Sequence, residues 1–373
     1  MTPGTYPPAR SVAVAVEEHF RRHSRGGAAV PDARAVERIV EAAFWASLRR
    51  EEGRGPKISL AYLPPAAAGQ TLLLERALPL YPATLTRLAP AAERPGIHLG
   101  VWHDGDELRV WGATRTLPPL CFVLEVVEPG LLVIKHRRAG PDGGGGKFGN
   151  VAVLEGDQVK VLEPKGAPWS DCPDFVTSLL SFEAAEDEGP SVLLRLALSM
   201  RAHRHGGSLL VVPHGADDWR DSILWPVLYA VSPPFSRLGA LVESAAASGP
   251  AAETWREGFR AAIDAVAGLT AVDGATVLTD RWDVLAFGAK IGRRAGSVPV
   301  ERLLVTEPIV GRAPVAAHPG ELGGTRHLSA AQFVSEQREA LALVASQDGH
   351  FTVFAWGERE GLVHAYRVEA LLL

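Results

Sequence analysis

The sequence predicts an α/β protein built from two domains, and both its length and a change in its hydrophobic period support this. A chain of 373 residues exceeds the size at which one hydrophobic core usually suffices. In the first half, apolar residues alternate as in half-buried strands, whereas the second half mixes buried strands with helical stripes. The acidic stretch 183–190 separates the two patterns. We therefore expect a smaller α+β domain over residues 1–185 and, over residues 186–373, a central mixed sheet flanked by helices.

Two helices are expected near the N-terminus. The first covers about residues 12–22, and the second follows Asp32, a residue type whose side-chain oxygen caps helix N-termini. The second helix should stop at residues 51–56, where Gly53, Gly55 and Pro56 occur together. The apolar residues at helical spacing in it are Val36, Ile39, Val40, Ala43, Phe44 and Leu48.

Three turn sequences predict hairpins in the remainder of the first half. They are Asp104-Gly105, Glu128-Pro129-Gly130 and Gly156-Asp157. The flanking strands are residues 98–102 with 107–111, 121–127 with 131–135, and 151–154 with 159–162. We expect a small, mostly antiparallel sheet with one or two helices against it.

The second half alternates helices and strands. Helices are expected at 192–203 and at 255–266, the latter ended by Gly268, and a short helical stretch at 330–334. Strands are expected at 207–213, 274–279, 284–287, 341–345 and 351–356, the last two joined by a turn at Asp348-Gly349. The small-residue segment 244–249 is interpreted as a low-complexity loop.

Composition excludes several classes of function. A net charge of -5 argues against broad nucleic-acid binding, which needs a basic surface. Two cysteines, Cys121 and Cys172, are too few for a disulfide framework or a four-cysteine zinc site. The N-terminal segment lacks the charged and apolar regions of a signal peptide, and no apolar run is long enough to cross a bilayer. We expect a cytoplasmic protein that does not associate with membranes.

Asp273 is the first candidate site residue. It lies where a helix is expected to end and a strand to begin, so rigid backbone would hold its carboxylate, a ligand type suited to Mg²⁺ or Mn²⁺. Gly274 after it lets the backbone approach a ligand closely. The alternative is a turn aspartate that caps backbone amides, the usual role of Asp-Gly.

The second candidate segment is Gly323-Gly324-Thr325-Arg326-His327. It precedes the helical stretch 330–334, and a helix N-terminus, glycines and a cation together favour phosphate binding. Thr325 and Ser329 can donate hydrogen bonds to phosphate oxygens, and Arg326 can clamp them with its planar guanidinium. The alternative is a glycine-rich surface loop with a salt-bridged arginine.

Three other patterns carry weaker hypotheses. His203, His205 and His214 do not have the spacing of a zinc site. The glycine run 142–147 lacks the ending of a phosphate loop and is interpreted as a hairpin tip. Trp219, Trp225 and Tyr229 are interpreted as core or interface aromatics.

The two candidate segments, in this order, resemble the diadenylate cyclase domain. Members of that family carry Asp-Gly-Ala and, further on, Gly-Thr-Arg-His-Arg, and this chain has Asp273-Gly274-Ala275 and Gly324-Thr325-Arg326-His327-Leu328. Leu269-Thr270, the strand 207–212, Ser335-Glu336 and the segment 341–346 also look like the family. The resemblance covers roughly residues 190–365, about half the chain, a usual domain size.

The resemblance implies condensation of two ATP into cyclic di-AMP across a face-to-face homodimer or higher homo-oligomer. It implies that Asp273 binds Mg²⁺ or Mn²⁺, with Asp348 as a second candidate ligand, and that Asp273 and Arg326 are catalytic. The nucleotide contacts that it implies are Gly274, Ala275, Gly324, Thr325, His327, Ser329 and Ser346.

The sequence departs from the family pattern at three positions. Leu328 replaces the last arginine of the second motif, Gln347 replaces a glutamate that assists the metal, and Val272 stands where some relatives have histidine. These departures leave two alternatives: a catalytically inactive nucleotide-binding regulatory or scaffold protein, and a related nucleotidyltransferase that uses another nucleotide or makes another product.

The first half carries a resemblance of its own. Residues 46–54 and the β-rich stretch after them look like a DACNV-type sensor module, which precedes diadenylate cyclase domains in some bacterial proteins. The alternative is a structural or dimerising domain.

Overall fold

The computed structural model describes residues 5–24, 29–50, 53, 55–137, 148–162, 192–227, 229–248 and 253–373. The chain divides into two compact units, one of residues 1–163 and one of residues 164–372. The predicted boundary near residue 185, the glycine run 142–147 and Cys172 lie outside the described residues.

The first unit combines helices with an eight-stranded sheet. Its helices are α1 (Pro7–His23), α2 (Ala33–Ser47) and α3 (Pro82–Ala92). Its strands are β1 (Ile58–Tyr62), β2 (Gly69–Pro79), β3 (His98–Asp104), β4 (Glu107–Thr116), β5 (Phe122–Glu128), β6 (Leu131–Arg137), β7 (Phe148–Glu155) and β8 (Gln158–Val161).

This sheet is mostly antiparallel, as predicted, but it is larger than predicted. The strand order is β2-β4-β3-β1-β5-β6-β7-β8, and only β1 with β3 pairs in parallel. The three predicted hairpins are β3–β4, β5–β6 and β7–β8. Strands β1 and β2 and helix α3 were not predicted.

One face of this sheet packs against the helices. Alternate residues of β1, such as Leu60, join the helices in one apolar core, while Ala61 and Trp111 belong to a smaller cluster. Asp32 caps α2 as predicted, since its Oδ1 accepts a hydrogen bond from the Ala35 N–H at 2.7 Å. Val36, Ile39, Val40 and Ala43 of the predicted stripe lie in this core and Phe44 packs against it, whereas Leu48 is exposed at the helix C-cap.

The second unit is an α/β layer structure with a nine-stranded sheet. Its helices are α4 (Val192–Ala202), α5 (Arg237–Ser248), α6 (Glu253–Leu269), α7 (Pro319–Leu322) and α8 (Thr325–Glu336). Its strands are β9 (Gly207–Val212), β10 (Tyr229–Phe235), β11 (Ala275–Thr279), β12 (Val284–Ala289), β13 (Leu303–Thr306), β14 (Val315–Ala317), β15 (Leu341–Ala345), β16 (Phe351–Gly357) and β17 (Leu362–Arg367).

The second sheet is mixed, with β9 near its centre. The order is β10-β12-β11-β9-β15-β16-β17-β13-β14, with β9 parallel to β11 and antiparallel to β15. All six residues of β9 are buried, which is typical of a strand covered on both faces. Leu210 and Val212 share an apolar cluster with α8, so alternation turns Leu209 and Val211 to the opposite face. The predicted mixed α/β architecture is confirmed at this level.

Two predictions about local structure were wrong. The segment 244–249 was interpreted as a loop, but residues up to Ser248 belong to α5, because alanine is the strongest helix former. The helical stretch predicted at 330–334 begins earlier, at Thr325. Thr325, Arg326 and His327 therefore form the first turn of a helix instead of a loop before it. The pairs β11–β12 and β15–β16 agree with the predicted strands.

None of the described helices combines the length and the apolar character needed to cross a membrane.

A histidine pair in the first unit makes its stability depend on pH. His19 Nε2 on α1 lies 2.8 Å from His136 Nδ1 on β6. Burial, followed by the neighbouring His136, His23 and Arg22, lowers the pKa of His19 to about 3. In the unfolded chain the His19 imidazole binds a proton with its ordinary pKa of 6.5, whereas in the folded protein it does so only near pH 3. The free energy of unfolding is therefore unaffected by His19 above pH 6.5 and decreases as the pH falls from 6.5 toward 3.

We expect the free energy of unfolding to fall between pH 7 and pH 5 by about 1 kcal/mol through His19, allowing for its partial exposure. Urea midpoints of the full chain at both pH values measure this, and His19→Gln should show a smaller decrease. Equal decreases in the two proteins would contradict the assignment.

Candidate functional site

One end of the second sheet collects the main predicted site residues. In register, Ala275 lies opposite Ser208 and Ala289, and Gly207 lies opposite Ala345. The starts of β9 and β11 and the ends of β12 and β15 therefore lie side by side. This row of strand ends forms the edge of the sheet that carries the candidate site. Gly206, Asp273, Lys290 and Ser346 are the residues that immediately extend these strand ends or lie beside them.

Asp273 is exposed at this edge and paired with Lys290. Its side chain is 89% exposed, and its Oδ2 accepts a hydrogen bond from Lys290 Nζ at 2.5 Å. The Lys290 ammonium, by hydrogen bond and by charge, and then the Arg326 guanidinium lower the pKa of the Asp273 carboxyl. Asp273 and Arg326, distant in the chain, are thus electrostatic neighbours.

Arg326 reaches the same edge from the first turn of α8. A methyl group at Gly206 would lie 3.1 Å from Arg326 Nη1 and 3.3 Å from both the Ala345 carbonyl oxygen and Gln347 Cγ. Gly206 has a φ of +70°, which favours glycine. The loop before β9 is therefore packed directly against the guanidinium.

The first turn of α8 presents backbone toward solvent. Gly324 occupies the N-cap and provides no side-chain hydrogen bond to the turn. Thr325 is exposed, whereas Arg326 and Ser329 are half-buried. Uncapped N–H groups and the partial positive charge of a helix N-terminus favour an anion at such a position.

His327 has a different position from the one expected for a nucleotide contact. Its side chain is 4% exposed, its Nε2 lies 3.5 Å from Thr352 Oγ1, and a methyl group at Gly323 would lie 2.5 Å from its Nδ1. Burial, then the charges of Arg367, His350 and Arg326, lowers its pKa, so it is neutral near pH 7. Its position suits support of the Gly323 turn.

Gly274 and Ala275 have packing roles of their own. A methyl group at Gly274, whose φ is +122°, would lie 2.4 Å from the Gly288 carbonyl carbon. Ala275 is buried in the apolar cluster under the sheet. Only backbone groups of these two residues are therefore available to a ligand.

The turn after β15 is closed by its own hydrogen bonds. Ser346 Oγ accepts from the His350 N–H at 3.1 Å, and the exposed Asp348 lies within this turn. Gln347 Nε2 donates to the His205 carbonyl oxygen at 3.3 Å, which ties the turn to the loop before β9. Gln347 thus makes a structural contact where the family pattern has a carboxylate.

The three histidines singled out in the sequence lie at opposite ends of β9. His203 precedes β9 and its Nε2 lies 3.2 Å from Thr270 Oγ1, whereas His214 follows β9 at the other end of the sheet, beside Asp283. Among the residues that the structure describes, no cluster of three His, Cys, Asp or Glu side chains is arranged to hold a metal ion. A divalent ion at Asp273 would therefore need ligands from a bound substrate.

Two residues near Asp273 were not among the predicted site residues: Lys290 was not singled out, and Tyr229 was interpreted as a core or interface aromatic. Tyr229 is 46% exposed and stacks on Phe287 with ring centroids 4.8 Å apart, and its ring covers Gly288. The position of Lys290 beside Asp273 could not be counted along the chain, because the pairing of β11 with β12 shifts register twice. Tyr229 could not be placed at the site, because β10 was not predicted.

Comparison with known families identifies part of the first unit. Residues 25–115 match the family model described as Probable sensor domain DACNV. This agrees with the sensor module expected from residues 46–54 and the strands after them. No curated protein matches the chain.

A comparison with solved structures adds little. A structural-genomics structure titled "The crystal structure of the hypothetical membrane spanning protein from Bacillus cereus" is 15% identical and covers 52% of this chain and 70% of its own. At a TM-score of 0.26 this likeness carries no argument about fold or function.

Gly206 offers a direct test of the geometry. If the chain binds ATP, as the family resemblance implies, Gly206→Ala should weaken that binding by roughly 3- to 10-fold, because the added methyl displaces the Arg326 guanidinium. Isothermal titration calorimetry on the full chain measures the affinity.

Gly215→Ala is the matched control for Gly206→Ala. Gly215 has a φ of +82° and open space around a built methyl group, so it incurs the same kind of backbone strain without touching Arg326. Both variants should lose about 1 kcal/mol of stability. Equal ATP affinity in the two variants would show that Arg326 is not held through Gly206 for binding.

Proposed function

We propose that the second unit condenses two ATP molecules into cyclic di-AMP and that the first unit regulates it as a sensor. The observation that carries this proposal is that Arg326 and Asp273 lie at the same edge of the sheet, since Arg326 packs beside Gly206 before β9 and Asp273 precedes the neighbouring strand β11. The two family motifs meet at one edge of the sheet, as a common triphosphate site requires. The sensor role is supported by the family match over residues 25–115.

In this proposal, side chains and backbone groups of the second unit bind the triphosphate. Arg326 binds phosphate oxygens through its planar guanidinium, and Thr325 and Ser329 donate hydrogen bonds from the first turns of α8. Backbone groups of Gly274 and Gly324 line the nucleotide without side-chain obstruction. Such preorganised donors stabilise charge in a transition state, where a single donor is worth about 3 kcal/mol.

Asp273 fits a metal ion that arrives with the nucleotide. Mg²⁺ is commonly bound through one or two carboxylates together with substrate phosphates, and Asp273 is an exposed carboxylate at a rigid strand start. Asp348 lies in the exposed turn after β15 and is the second candidate ligand. When bound, Mg²⁺ or Mn²⁺ neutralises charge on the phosphates.

The reaction needs two sites that face each other, so the proposal includes a homodimer or a higher homo-oligomer. The 3′-hydroxyl oxygen of each ATP forms a bond to the α-phosphorus of the other, the bond from that phosphorus to the bridging oxygen breaks, and pyrophosphate leaves. Asp273 orients the hydroxyl, whose proton passes to solvent. Positioning and charge stabilisation account for most of such catalysis.

A second candidate function is nucleotide binding without turnover. It is favoured by the side chains at two positions where the family has charges. Leu328 is 42% exposed and offers no cation, and Gln347 is bonded to the His205 carbonyl. A nucleotidyltransferase that uses another nucleotide or makes another product is a third candidate.

Incubation with ATP and Mn²⁺ or Mg²⁺, followed by chromatography, tests the proposed activity. We expect cyclic di-AMP from the wild type and a decrease of about 100-fold or more in Asp273→Asn. Asp217→Asn is the matched control, because Asp217 is 83% exposed and pairs with Arg220 at 3.0 Å, much as Asp273 pairs with Lys290.

The remaining outcomes separate the candidates. ATP binding without product supports the second candidate, and product only from another of the four nucleoside triphosphates supports the third. Failure to bind any of the four would exclude all three.

Gln347 gives a gain-of-function test. We expect Gln347→Glu to raise Mn²⁺-dependent product formation by roughly tenfold, because it adds a carboxylate at the edge that holds Asp273. Gln347→Met loses the same bond to His205 without adding charge and should not exceed the wild type. Initial rates of cyclic di-AMP formation measure both, and equal rates in the two variants would contradict the expectation.

A further inference from the structure

The backbone of Lys290 is fixed beside Asp273 at the edge of the sheet that carries the candidate site. Lys290 follows the last residue of β12, and its carbonyl oxygen accepts a hydrogen bond from the Leu224 N–H at 2.8 Å. Ile291 after it forms a bridge with Ile223. The backbone of Lys290 is therefore fixed, while its ammonium can exchange one hydrogen-bond acceptor for another.

The partner of Lys290 is itself exposed, so their ion pair is easy to exchange. The side chains of Lys290 and Asp273 are 49% and 89% exposed, and the ammonium lies 2.5 Å from the carboxylate. Solvent screens exposed ion pairs, and most of them contribute little net stability. A ligand that offers the ammonium several anionic oxygens can displace the single carboxylate.

Two cationic side chains lie at this edge of the sheet. Lys290 pairs with the Asp273 carboxylate directly, and the Arg326 guanidinium lies beside Gly206, which precedes β9. Gln347, which also lies beside Gly206, is neutral. Two cationic groups beside an uncapped helix N-terminus favour a multiply charged anion.

We infer that Lys290 binds the triphosphate of a nucleotide and is paired with Asp273 when no nucleotide is bound. In the absence of nucleotide, Lys290 neutralises the carboxylate. When a triphosphate enters, Lys290 moves to its oxygens, and Asp273 becomes available for a divalent ion. This inference rests on the proposed function for its choice of ligand, but it concerns binding and not turnover.

The exchange makes Lys290 and the divalent ion partial substitutes for each other. Without the ion, Lys290 and Arg326 must carry the phosphate charge alone. When the ion is present, it neutralises part of the phosphate charge itself. The effect of removing the ammonium should therefore be large in EDTA and smaller with excess Mg²⁺.

Calorimetry with two probes on the full chain tests the inference. The probes are ATP, and inorganic tripolyphosphate, which reports on the phosphate-binding groups without the base or any reaction. We expect Lys290→Met to weaken the binding of both probes by about tenfold in EDTA, and by less than about threefold with excess Mg²⁺. Lys290→Arg should bind both probes within about threefold of the wild type, because it keeps the charge.

Arg256→Met is the matched control for the change in net charge. Arg256 pairs with Glu253 on the exposed face of α6 and belongs to the same unit. The Arg256→Met variant should bind both probes with the affinity of the wild type. Thermal unfolding of each variant shows whether it is folded, and Lys290→Gln, which also removes the charge, replaces Lys290→Met if that variant unfolds.

The outcomes distinguish this inference from the proposed function. Tripolyphosphate binding that depends on Lys290, without cyclic di-AMP, leaves the inference standing and removes the cyclase. Product formation with unchanged binding in Lys290→Met overturns the inference alone, as does an equal loss with and without Mg²⁺, which would indicate a purely structural ion pair. A wild type that binds neither probe overturns both.

Discussion

The candidate site depends on the pairing of β9 with strands on both of its sides. Its parallel partner β11 brings Asp273 to the start of β9, and its antiparallel partner β15 brings Ser346 and Gln347 to the same place. A slip of one residue in either pairing would turn buried side chains of β9 toward the wrong face. Because both faces of β9 are covered, such a slip would expose or displace the core. The apolar interior of the sheet thus fixes the position of polar groups at its edge.

The electrostatics of this edge differ from those of a structural ion-pair network. Glu336 shows the structural case, since its carboxylate accepts hydrogen bonds from Ser222, Ser297, Gln332 and the Arg294 N–H. These neighbours lower its pKa against the opposing effect of burial, and they leave it little freedom. Asp273 has one flexible partner and nearly full exposure. A carboxylate held in this way is available to a ligand, whereas Glu336 is committed to the fold.

The sequence predicted more of the architecture than of the site. Period-two strands, turn dipeptides and the Asp32 cap depend on neighbours in the chain, so they could be predicted for β3–β8 and α2. The edge strands β2, β10 and β14 were missed, because exposed residues and prolines weaken the apolar signal there. The joint location of Asp273 and Arg326 followed from the ordered motifs. The burial of His327 did not, since burial depends on the packing of Gly323 and Thr352 around it.

Packing accounts for part of the first motif and for the glycine before β9. Gly274 must be glycine because the Gly288 backbone approaches it, and Gly206 must be glycine because of its φ and the neighbouring Arg326. Packing alone would therefore keep Gly274 and Ala275 in this fold even if no nucleotide bound. The side chains that packing does not explain are the exposed ones, namely Asp273, Lys290 and Thr325. These charged and hydroxyl groups therefore favour a role in ligand binding, because the fold would lose little without them.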